Sequence, residues 1–593
     1  MTDLDPRLKA AFSTLELDAA VLRDSLDRLR AFWNTAPTPE RDALLGALDT
    51  SGAAEVYDAF CTDLAFGTGG CRGRVGLGPN RMNPTTLSRL VRAHAGWLLR
   101  YEPDAARRGV VLGWDTRCFH DVQGVYAPDA PPSVLGWTSG QAARTAALEY
   151  TRCGVGVHWP GDGGTVGALS FAVRHLGAAA GLYISASHNP PDHNGAKFYA
   201  ATGGQVVPPD DDAIAHSEPA PWVDEPGTVV ALDESVRDGW LGALHDAAHR
   251  PDLGGVHVVY TALQGAGARW VPRVLSDAGA RVDVVASQHA PNGTFAAVAG
   301  ASPNPENRAA LSVAMEQAER CGADLVLATD PDADRIGVAC RSGDGWRVLT
   351  GNEIALLCTE QAARSAAPGS WVLQTGVTTT AVARLARLRG LRVHDDAPVG
   401  FKYLGVQMDR LDAPFALAVE ESHGVLISDA LRDKDAVGAT LLVTAAASHE
   451  PLAHTLARLD SELGPTRTLL TSRGLQTGTG RARLTEAMSA LRAKPPQHLA
   501  GFEVVAMHDA LSGEPPACAS EAAARDVLRF ELADGVLTLR PSGTEARVKV
   551  YAERWGEPGT DGAALEASLT ALTEALLERI TGDAARTGPG TAG

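Results

Sequence analysis

The feature that most constrains the fold of this chain is a repeated order of segments along its 593 residues. A short apolar run ends in a polar or Gly-rich loop, and a helical pattern often follows. Continuous apolar runs of this length suit strands that are buried on both faces of a parallel or mixed sheet. Their alternation with helices predicts α/β units, in which ligands gather at the carboxyl ends of the strands. The predicted strands cover residues 110–115, 181–187, 256–261, 325–330, 371–375, 415–421 and 536–542.

The length of the chain sets the number of domains. A chain this long cannot bury its apolar residues in one core, so we expect about three to five domains. Residues 5–50 are predicted to be helical, because Leu22, Leu26, Leu29 and Phe32 recur at helical spacing.

Charge and cysteine usage argue against several classes of protein. The formal net charge of −18 argues against a general nucleic-acid or membrane-surface binder, although a local Arg and Lys cluster can still bind a small anion. The N-terminus has no apolar core of a signal peptide, and no run of about 18 apolar residues predicts a membrane span. The eight cysteines include no Cys-x-x-Cys pair, which predicts a reduced cytoplasm without disulfides or structural zinc.

The stretch ATDPDADRIGVA, residues 328–339, places Asp330, Asp332 and Asp334 at alternate positions after an apolar strand. On a turn the three carboxylates can converge on one hard cation, and oxygen ligands suit Mg²⁺ or Ca²⁺ better than zinc. An EF-hand is excluded, because Arg335 and Arg341 stand where its loop needs Gly and Glu. A haloacid-dehalogenase-type phosphatase normally has Thr or Val where this chain has Asp334. We therefore expect a metal loop rather than a solvated acidic turn.

The stretch LYISASHNPPDHNGAKFY, residues 182–199, ends a strand near Ser187, a candidate nucleophile or phosphate carrier. Free serine is a weak nucleophile and normally needs an adjacent base. His188 is its sequence neighbour, but adjacent side chains in an extended segment point apart, so a protease-like pair is not expected. No Gly-x-Ser-x-Gly elbow surrounds the serine. A turn former and a nucleophile both stay open on this segment alone.

The stretch LRPSGTEARVKVY, residues 539–551, predicts a phosphate-binding turn without a Walker lysine. The turn offers hydroxyls, backbone N–H groups and guanidinium groups, and the alternative is a tight turn before an edge strand. Three other clusters are weak alone, because an exposed loop would explain each of them. They are the Gly-rich residues 66–83 with Arg72 and Arg74, VGFKYL at 399–404 with Lys402, and VEESHG at 419–424.

In this order the clusters resemble the α-D-phosphohexomutase superfamily, the phosphoglucomutase and phosphomannomutase enzymes, from about residue 66 to 551. ISASHNP resembles the phosphoserine loop, TDPDADR the metal loop, EES the sugar-specificity loop and RPSGTE the phosphate loop. FGTGGCRG, NRMN, VGFKYL and LRDKDA further resemble a long subgroup, which includes bacterial phosphoglucomutases, phosphopentomutases and glucose-1,6-bisphosphate synthases.

The resemblance implies a fold of four domains around a central cleft. Three are related mixed-sheet α/β domains, and a smaller α+β domain follows at the C-terminus. The expected limits are 1–218 with the N-terminal helices and phosphoserine loop, 219–339 with the metal loop, 340–455 with the sugar-specificity loop and 456–593 with the phosphate loop.

The resemblance also implies a mechanism and a set of residues. Ser187 would carry a phosphoryl group, and one Mg²⁺ per active site would be held by Ser187, Asp330, Asp332 and Asp334. Lys197 and Arg72 would act beside the phosphoserine, with Asp115 and Arg117 in support. Glucose 1,6-bisphosphate would be the intermediate and the activator. The substrate-binding residues that the resemblance implies are Arg335, Lys402, Glu420, Ser422, Lys434, Arg540, Ser542, Gly543, Thr544 and Arg547.

The expected activity is that of a cytoplasmic phosphoglucomutase, an isomerase that interconverts glucose 1-phosphate and glucose 6-phosphate. Phosphomannomutase, phosphopentomutase and glucose-1,6-bisphosphate synthase remain alternatives on the same fold. A non-catalytic sugar-phosphate-binding protein is disfavoured, because a pure binder needs neither the serine nor the three aspartates. We expect a small phosphosugar as the only partner, no nucleic acid, no membrane, and a monomer or homodimer.

The chain departs from the family pattern in several places. Ser185 replaces the usual Thr and keeps a hydroxyl. His423 precedes Gly424, whereas phosphomannomutase-type members have the reverse order, so position assigns no acid or base role to His423. Residues 120–138 look like an insertion, either a loop beside the cleft or a surface elaboration.

Overall fold

The computed structural model describes residues 4–15, 17–67, 69–343, 345–475, 480–512, 525–542 and 547–581. The chain divides into two compact units. Unit 1 comprises Met1–Ala339 and Ser428–Leu441, and unit 2 comprises Cys340–Ile427 and Leu442–Gly593. Three of the four main sheets each lie within one unit, whereas the second sheet has strands from both.

Helices form the start of unit 1, as the apolar spacing predicts. Asp5 and Asp18 accept hydrogen bonds from backbone N–H groups of the first turns and so cap two of these helices. The helices pack around a core that includes Leu29 and Phe60. They are α1 (Pro6–Ser13), α2 (Ala19–Thr35) and α3 (Thr38–Phe60).

The first sheet has six strands in the order β1-β5-β4-β2-β3-β6. The four strands β2, β3, β4 and β6 are parallel where they pair, whereas β5 runs antiparallel to β1 and β4. All five residues of β4 are buried, as expected for a strand covered on both faces. The strands are β1 (Gly70–Arg74), β2 (Val110–Trp114), β3 (Val157–Trp159), β4 (Ala180–Ile184), β5 (His193–Ala200) and β6 (Val229–Ala231). The helices are α4 (Pro84–Tyr101), α5 (Ala105–Arg108), α6 (Ser139–Arg152), α7 (Val166–Leu176), α8 (Asp210–Ala215) and α9 (Glu234–Ala247).

Residues 120–138, the predicted insertion, contain no helix or strand. Gln123 Nε2 donates a hydrogen bond of 2.7 Å to Asp192 Oδ2, and Tyr126 Oη accepts one of 2.9 Å from the Leu77 backbone. Val134 and Trp137 are buried in the core of the first sheet. The segment is therefore anchored against the loop that follows Ser187.

The second sheet has the order β11-β10-β9-β7-β8, and β7 is parallel to β8 and β9. Its helices alternate with the strands, as in other α/β units. The strands are β7 (His257–Thr261), β8 (Arg281–Val284), β9 (Leu325–Thr329), β10 (Ile336–Ser342) and β11 (Gly345–Val348). The helices are α10 (Trp270–Asp277), α11 (Ala286–His289) and α12 (Arg308–Cys321), with 3-10 turns at Ala266–Ala268 and Ala299–Ala301. The boundary between the two units falls inside β10.

The third sheet, in unit 2, has the order β13-β12-β14-β15. Only the short β15 runs antiparallel to its neighbour, so β14 turns back directly after its carboxyl end. The strands are β12 (Trp371–Thr375), β13 (Arg392–Ala397), β14 (Phe415–Glu420) and β15 (Gly424–Leu426). The helices are α13 (Gly351–Ala363), α14 (Thr380–Leu388), α15 (Phe401–Met408), α16 (Ala436–His449) and α17 (Leu452–Leu463).

The fourth sheet is antiparallel and has the order β16-β22-β21-β20-β19. Two helices pack into its core through residues such as Leu484 and Leu572. The strands are β16 (Thr466–Gly474), β19 (Ala506–Asp509), β20 (Leu528–Leu532), β21 (Gly535–Pro541) and β22 (Arg547–Trp555), and β17 (His498–Leu499) and β18 (Phe502–Glu503) form a separate pair. The helices are α18 (Gly480–Ala493) and α19 (Gly562–Thr581).

Three mixed α/β sheets followed by an antiparallel sheet with helices confirm the predicted fold class. The predicted domain limits stay predictions, although β6 lies beyond residue 218 and still belongs to the first sheet. The sequence after Ile580 is rich in small and polar residues, which predicts a disordered tail, and residues from 582 onward lie outside the described ranges. None of the helices in the described ranges is both long and apolar enough to cross a membrane.

Candidate active site

Ser187 lies on a tight turn just after β4. The Ser185 hydroxyl accepts a hydrogen bond of 2.7 Å from the Ser187 N–H and donates one of 2.8 Å to Asp115 Oδ2. These bonds end the strand at Ile184, before the predicted end at 187. Ser187 itself has a φ of 53°, in the left-handed region. The side chain therefore turns away from the strand direction, and the residue is buried, with 2% of its surface exposed.

The expectation that Ser187 and His188 point apart is wrong. Ser187 Oγ and His188 Nδ1 lie 3.3 Å apart, because the left-handed backbone at Ser187 turns the two side chains to the same side. Burial and the positive charges of Arg335, Arg72 and Arg117 hold the pKa of His188 well below its ordinary value of 6.5. The imidazole is therefore neutral at physiological pH.

Arg117 clamps the loop that carries Ser187. Its guanidinium donates to the carbonyl oxygen of Ser187 and, at 2.7 and 2.6 Å, to those of Asn189 and Pro190. Asp115 Oδ2 lies 3.3 Å from Arg117 Nε and neutralises its charge, while the Phe295 ring centroid lies 5.0 Å from the guanidinium carbon. Because Arg117 is 1% exposed, this arrangement is part of the core of unit 1.

The three predicted metal-loop aspartates lie directly after β9. Ser187 Oγ donates a 2.8 Å hydrogen bond to Asp330 Oδ2. Asp330 Oδ1 accepts 3.0 Å hydrogen bonds from the backbone N–H groups of Asp334 and Arg335, which closes the loop on itself. Asp330 and Asp332 are 0% exposed and Asp334 is 1% exposed. Alternate spacing in the sequence therefore becomes a buried group of three carboxylates beside the serine.

Two lysines from distant parts of the chain face the aspartates. Lys197 Nζ donates to Asp332 Oδ2 at 2.7 Å and to Asp334 Oδ2 at 2.9 Å. Lys434 Nζ lies 3.3 Å from Asp334 Oδ2. Lys197 lies in β5, and Lys434 lies in the segment before α16. Both residues belong to unit 1, whose fold brings them to the aspartates.

The pKa values of Asp330 and Asp334 are shifted in opposite directions. Burial raises the pKa of Asp330 well above its ordinary value, and the charges of Asp332 and Asp334 add to this rise. Burial would also raise the pKa of Asp334, but Lys197, Lys434 and Arg335 outweigh it and hold that pKa below its ordinary value. Burial opposes the charge on Lys197, but Asp332 and Asp334 raise its pKa, so the ammonium keeps its proton.

The aspartate group fits a hard cation. One oxygen each of Asp330, Asp332 and Asp334 lies within 4.8 Å of the others. Asp332 Oδ1 and Asp334 Oδ1 are buried and accept no hydrogen bond from any described residue. Buried carboxylate oxygens without donors are costly unless a cation uses them. The group can therefore hold a metal ion that prefers oxygen ligands.

Two further predicted residues, Arg72 and Arg335, add positive charge to this part of unit 1. Arg72 lies in β1 and interacts electrostatically with Asp332 and Asp334. Arg335 Nη1 forms a 2.9 Å ion pair with Glu306, and its Nε lies 3.9 Å from Asp334 Oδ1. All of the predicted unit 1 residues thus lie around one serine and three aspartates.

In unit 2 the predicted sugar-specificity residues lie on a turn between β14 and β15. Glu420 ends β14 and pairs with Gly424 of β15, so residues 421–423 form the turn. His423 has a φ of 66°, which lets the chain reverse. A Cβ at Gly351 would lie 1.9 Å from the Glu421 carbonyl oxygen, so the first residue of α13 must be glycine for the turn to pack there.

Glu421 is a site residue that the predicted set lacks. Burial raises its pKa to about 7, and repulsion from Glu420 adds to the rise. Thr375 Oγ1 donates a 3.2 Å hydrogen bond to Glu421 Oε2, and the Lys549 charge opposes the shift. The adjacent glutamates in EES are the sequence signal that could have indicated this residue, since like charges at one strand end raise each other's pKa.

The other predicted unit 2 residues lie on α15 and on the hairpin of β21 and β22. Lys402 is 6% exposed at the start of α15, with Nζ 5.0 Å from the Tyr403 ring centroid. Arg540 pairs with Lys549 across the hairpin, and the Ser542 N–H donates a 2.7 Å bond to the Arg547 carbonyl. Arg547 also donates to Ser472 Oγ at 3.2 Å. Gly543 and Thr544 lie outside the described residues.

The hairpin also shares electrostatics with the glutamate turn. Burial raises the pKa of Tyr551 in β22, with Glu421 adding to the rise and Arg540 opposing it. Glu553 Oε1, two residues further along β22, accepts 3.0 Å bonds from Thr379 Oγ1 and the Thr380 N–H. Hydrogen bonds from the start of α14 to β22 therefore join the third and fourth sheets inside unit 2.

Comparison with known proteins gives three matches to one family. The phosphoglucomutase/phosphomannomutase α/β/α domains I, II and III match residues 137–218, 243–343 and 350–462. A phosphoglucomutase of Staphylococcus haemolyticus (strain JCSC1435) is 31% identical over 545 residues, which cover 85% of this chain and 94% of that protein.

Two solved structures share the fold. A phosphoglucomutase/phosphomannomutase family protein from Burkholderia thailandensis has a TM-score of 0.64 at 19% identity, over 87% of this chain and 98% of that one. The open form of the Paramecium phosphoglucomutase pp63/parafusin has a TM-score of 0.64 at 17% identity, over 88% of this chain and 97% of that one. These structures show the shared fold, and the sequence matches show that the chain belongs to the phosphoglucomutase/phosphomannomutase family and is a phosphosugar mutase.

Proposed function

We propose that this enzyme interconverts glucose 1-phosphate and glucose 6-phosphate through a phosphoserine at position 187. The observation that carries the proposal is the 2.8 Å hydrogen bond from Ser187 Oγ to Asp330 Oδ2 within a buried group of three aspartates. The name of the Staphylococcus haemolyticus relative supports glucose as the sugar.

In the proposed reaction, phosphorylated Ser187 donates its phosphoryl group to the free hydroxyl of the sugar monophosphate. The bond between Oγ and phosphorus breaks, a bond between the sugar oxygen and phosphorus forms, and the hydroxyl proton ends on Ser187 Oγ. The product is glucose 1,6-bisphosphate, which turns over and returns its other phosphoryl group to Ser187 with the reverse proton movement. Added glucose 1,6-bisphosphate would activate the enzyme, because it phosphorylates unmodified Ser187.

Asp330, Asp332, Asp334 and a phosphate oxygen on Ser187 would hold one Mg²⁺ per active site. Two observations support this choice: the donor set is oxygen only, and one buried oxygen each of Asp332 and Asp334 accepts no hydrogen bond from a described residue. When bound, Mg²⁺ would act as a Lewis acid that stabilises the negative charge on the oxygens of the transferring phosphoryl group.

The protein's own groups would position and neutralise the reacting atoms. Lys197 keeps its proton, which supports a role in stabilising phosphoryl charge rather than in removing a proton. Arg72 would add to this charge stabilisation. The Arg117 clamp would hold Ser187 Oγ in place for in-line transfer. Burial of Ser187 excludes water, which supports transfer to a sugar over hydrolysis.

The remaining assignments follow the family resemblance. Glu420 and Ser422 would hold sugar hydroxyls in both orientations of the intermediate. Groups from the hairpin and three further cations would bind the substrate phosphates through charge-assisted hydrogen bonds. These residues are Arg335, Lys402, Lys434, Arg540, Ser542, Gly543, Thr544 and Arg547. A monomer or homodimer in the cytoplasm completes the proposal, and the location is supported by the free state of all seven cysteines in the described ranges.

Intact-mass analysis before and after addition of excess substrate tests the proposal. We expect one phosphoryl group on the purified or glucose 1,6-bisphosphate-treated enzyme, lost on exposure to glucose 6-phosphate. Ser187→Ala should abolish both the added mass and the interconversion, whereas Ser461→Ala, at an exposed position on α17, should change neither. Parallel assays with mannose, ribose and glucosamine 1-phosphates test the choice of sugar. Full conversion by Ser187→Ala would contradict the mechanism, and faster conversion of another sugar would contradict the substrate.

A further inference from the structure

A second cluster of possible metal ligands lies at the amino end of the second sheet. His257 begins β7, Asp283 lies in β8 and Cys321 ends α12. His257 Nε2 is 2.7 Å from Asp283 Oδ2 and 3.9 Å from Cys321 Sγ. The three ligand atoms all lie within 4.8 Å of one another. The fold thus brings together a nitrogen, an oxygen and a sulfur ligand that are far apart in sequence.

His257 and Asp283 form an ion pair at 2.7 Å, and the geometry differs from that of a proton relay. A relay of the Cys-His-Asp type uses the two ring nitrogens separately, one for each partner. Here both partners approach Nε2, so an ion between the three ligand atoms would replace the hydrogen bond between Nε2 and Asp283. With metal–ligand distances of about 2.0 and 2.3 Å and tetrahedral angles, the nitrogen and sulfur ligands of Zn²⁺ are about 3.6 Å apart. The observed nitrogen–sulfur distance of 3.9 Å would shorten slightly, and the 2.7 Å between Nε2 and Asp283 Oδ2 would widen to about 3.3 Å.

One of the three residues is fixed through its backbone, and another is partly exposed to water. The backbone N–H of His257 donates a 2.9 Å hydrogen bond to Asp324 Oδ2, which fixes the start of β7. The side chain of Asp283 is 37% exposed, so water can reach the cluster as a fourth ligand. Arg281 Nη2 lies 3.2 Å from Asp283 Oδ2, but its side chain is 67% exposed and can turn into solvent when the carboxylate binds an ion.

The cluster is remote from the Ser187 centre. His257 stands at the opposite end of β7 from Thr261, about 13 Å away at about 3.3 Å per residue. The metal-loop aspartates follow the carboxyl end of β9, which runs parallel to β7. An ion at His257 would therefore act on the fold of unit 1 rather than on the reacting phosphoryl group.

We propose that His257, Asp283 and Cys321 form a site for a borderline divalent transition metal, with Zn²⁺ as the preferred ion. Mixed nitrogen, oxygen and thiolate ligands select Zn²⁺ over Mg²⁺, whereas the oxygen-only aspartate group has the opposite preference. The absence of a Cys-x-x-Cys pair predicts no structural zinc, but the fold assembles this cluster from separate positions. The ion joins β7, β8 and α12, and because it binds the folded unit it stabilises that unit.

Titration of the reduced protein with Co²⁺, in excess Mg²⁺, tests the site. Co²⁺ is a spectroscopic substitute for Zn²⁺, and a thiolate ligand gives it a near-ultraviolet charge-transfer band that carboxylates cannot produce. We expect the band to saturate at one Co²⁺ per chain and to disappear when Zn²⁺ is added. Cys321→Ser should abolish it, and His257→Gln should weaken Co²⁺ binding by at least about tenfold. Cys118→Ser, which removes another partly exposed thiol, should leave the band unchanged.

The outcomes separate this site from the phosphosugar reaction. Cys321→Ser should keep the Mg²⁺-dependent interconversion, which also shows that the variant is folded. Zn²⁺ should raise the melting temperature of the parent protein but not that of Cys321→Ser. Absence of a thiolate band, survival of the band in Cys321→Ser, or equal stabilisation of both proteins would each overturn the proposal. Loss of sugar conversion with an intact band would contradict only the proposed function.

Discussion

Two groups of acidic side chains, one in each unit, show how different surroundings give carboxylates different tasks. In unit 1, Lys197 and Lys434 lie within 3.3 Å of aspartate oxygens, so Asp334 keeps its charge in spite of burial. In unit 2, Glu421 accepts a 3.2 Å hydrogen bond from the neutral Thr375 hydroxyl, and Glu420 repels its charge. The first group is suited to a cation, and the second can hold a proton near neutral pH.

The number of acids in a cluster therefore does not determine its chemistry. In unit 1, the lysines keep Asp334 charged, and Asp332 and Asp334 each have one buried oxygen that accepts no hydrogen bond from a described residue. In unit 2, burial and the charge of Glu420 give Glu421 a pKa of about 7. Each of the following substitutions affects one of these two acidic groups or its surroundings, and the other group serves as an internal reference.

The largest effect is expected from Asp332→Asn. The substitution removes a proposed metal ligand and the 2.7 Å ion pair with Lys197. A metal ion contributes several kcal/mol to such a transition state, so kcat should fall by about two to three orders of magnitude. Steady-state kinetics over a range of Mg²⁺ concentrations would measure the loss.

The control for this change is Asp238→Asn, which removes a charge from an exposed helix position paired only with Arg273. It should leave kcat and the Mg²⁺ dependence unchanged. Unchanged kcat in Asp332→Asn would show that the aspartate group does not serve a catalytic cation.

A smaller loss is expected from Arg117→Lys. Lysine keeps the charge but cannot reach the carbonyls of Ser187, Asn189 and Pro190 together, so the Ser187 loop loses its fixed position. Misplacement of a reacting group by about 1 Å can cost about a hundredfold in rate, and we expect a fall in kcat of about ten- to a hundredfold.

The readout that separates positioning from general damage is metal binding. The Mg²⁺ concentration for half-maximal activity should stay unchanged in Arg117→Lys, because the aspartate group is intact. A weaker Mg²⁺ response with normal kcat would show that Arg117 supports the metal loop instead of Ser187.

Glu421→Gln tests the other side of the contrast through stability. The pKa of Glu421 rises from an ordinary 4.5 to about 7 in the folded protein. Folded protein therefore holds a proton that the unfolded chain releases, so the stability contribution is full below pH 4.5 and is lost as the pH rises through 7. Glutamine should remove this pH dependence, with a gain on the order of 2 kcal/mol at pH 8 relative to the parent protein.

Hydrogen exchange in the peptides of β14 at pH 5 and pH 8 would measure the local effect. Glu462→Gln is the control of opposite sign, because the hydrogen bond from Arg389 lowers the pKa of Glu462. Identical pH dependence of exchange in the parent protein and in Glu421→Gln would refute the raised pKa.

The smallest expected effect is the change in melting temperature on binding of Mg²⁺. At ten times its Kd, Mg²⁺ should stabilise unit 1 by about 1.4 kcal/mol and raise its melting temperature by about 2 °C. Asp332→Asn should lose this shift and Glu421→Gln should keep it. Scanning calorimetry with Mg²⁺ and with a chelator gives both values, and a shift of equal size in both variants would place the ion elsewhere.

Much of the fold could be predicted from the sequence, because apolar runs such as 181–184 are long enough for strands that are buried on both faces. The ends of the strands were harder to predict. Ser185 and Ser187 continue the pattern of small residues, but a hydrogen bond between them ends β4 at Ile184. Side-chain to backbone bonds of this kind depend on geometry that spacing does not encode.

The site shows the same limit. Asp330, Asp332 and Asp334 could be predicted as a group because they share one short loop. The contact between Ser187 and His188 could not, because it depends on a left-handed φ of 53°. The pKa of Glu421 could not be predicted either, because it depends on burial and on the nearby charge of Glu420.

The position of Lys434 in unit 1 has a consequence for how the protein is made. Unit 1 consists of residues up to 339 and of a return segment, Ser428–Leu441, that also supplies Asp435 Oδ2 as the 2.8 Å partner of the Trp240 indole. During synthesis the ribosome must therefore release about three quarters of the chain before Lys434 can join the other charged residues of unit 1. A chain that stops at 339 would carry the serine and the aspartates but not the second lysine, so early termination yields an incomplete centre rather than a smaller working enzyme.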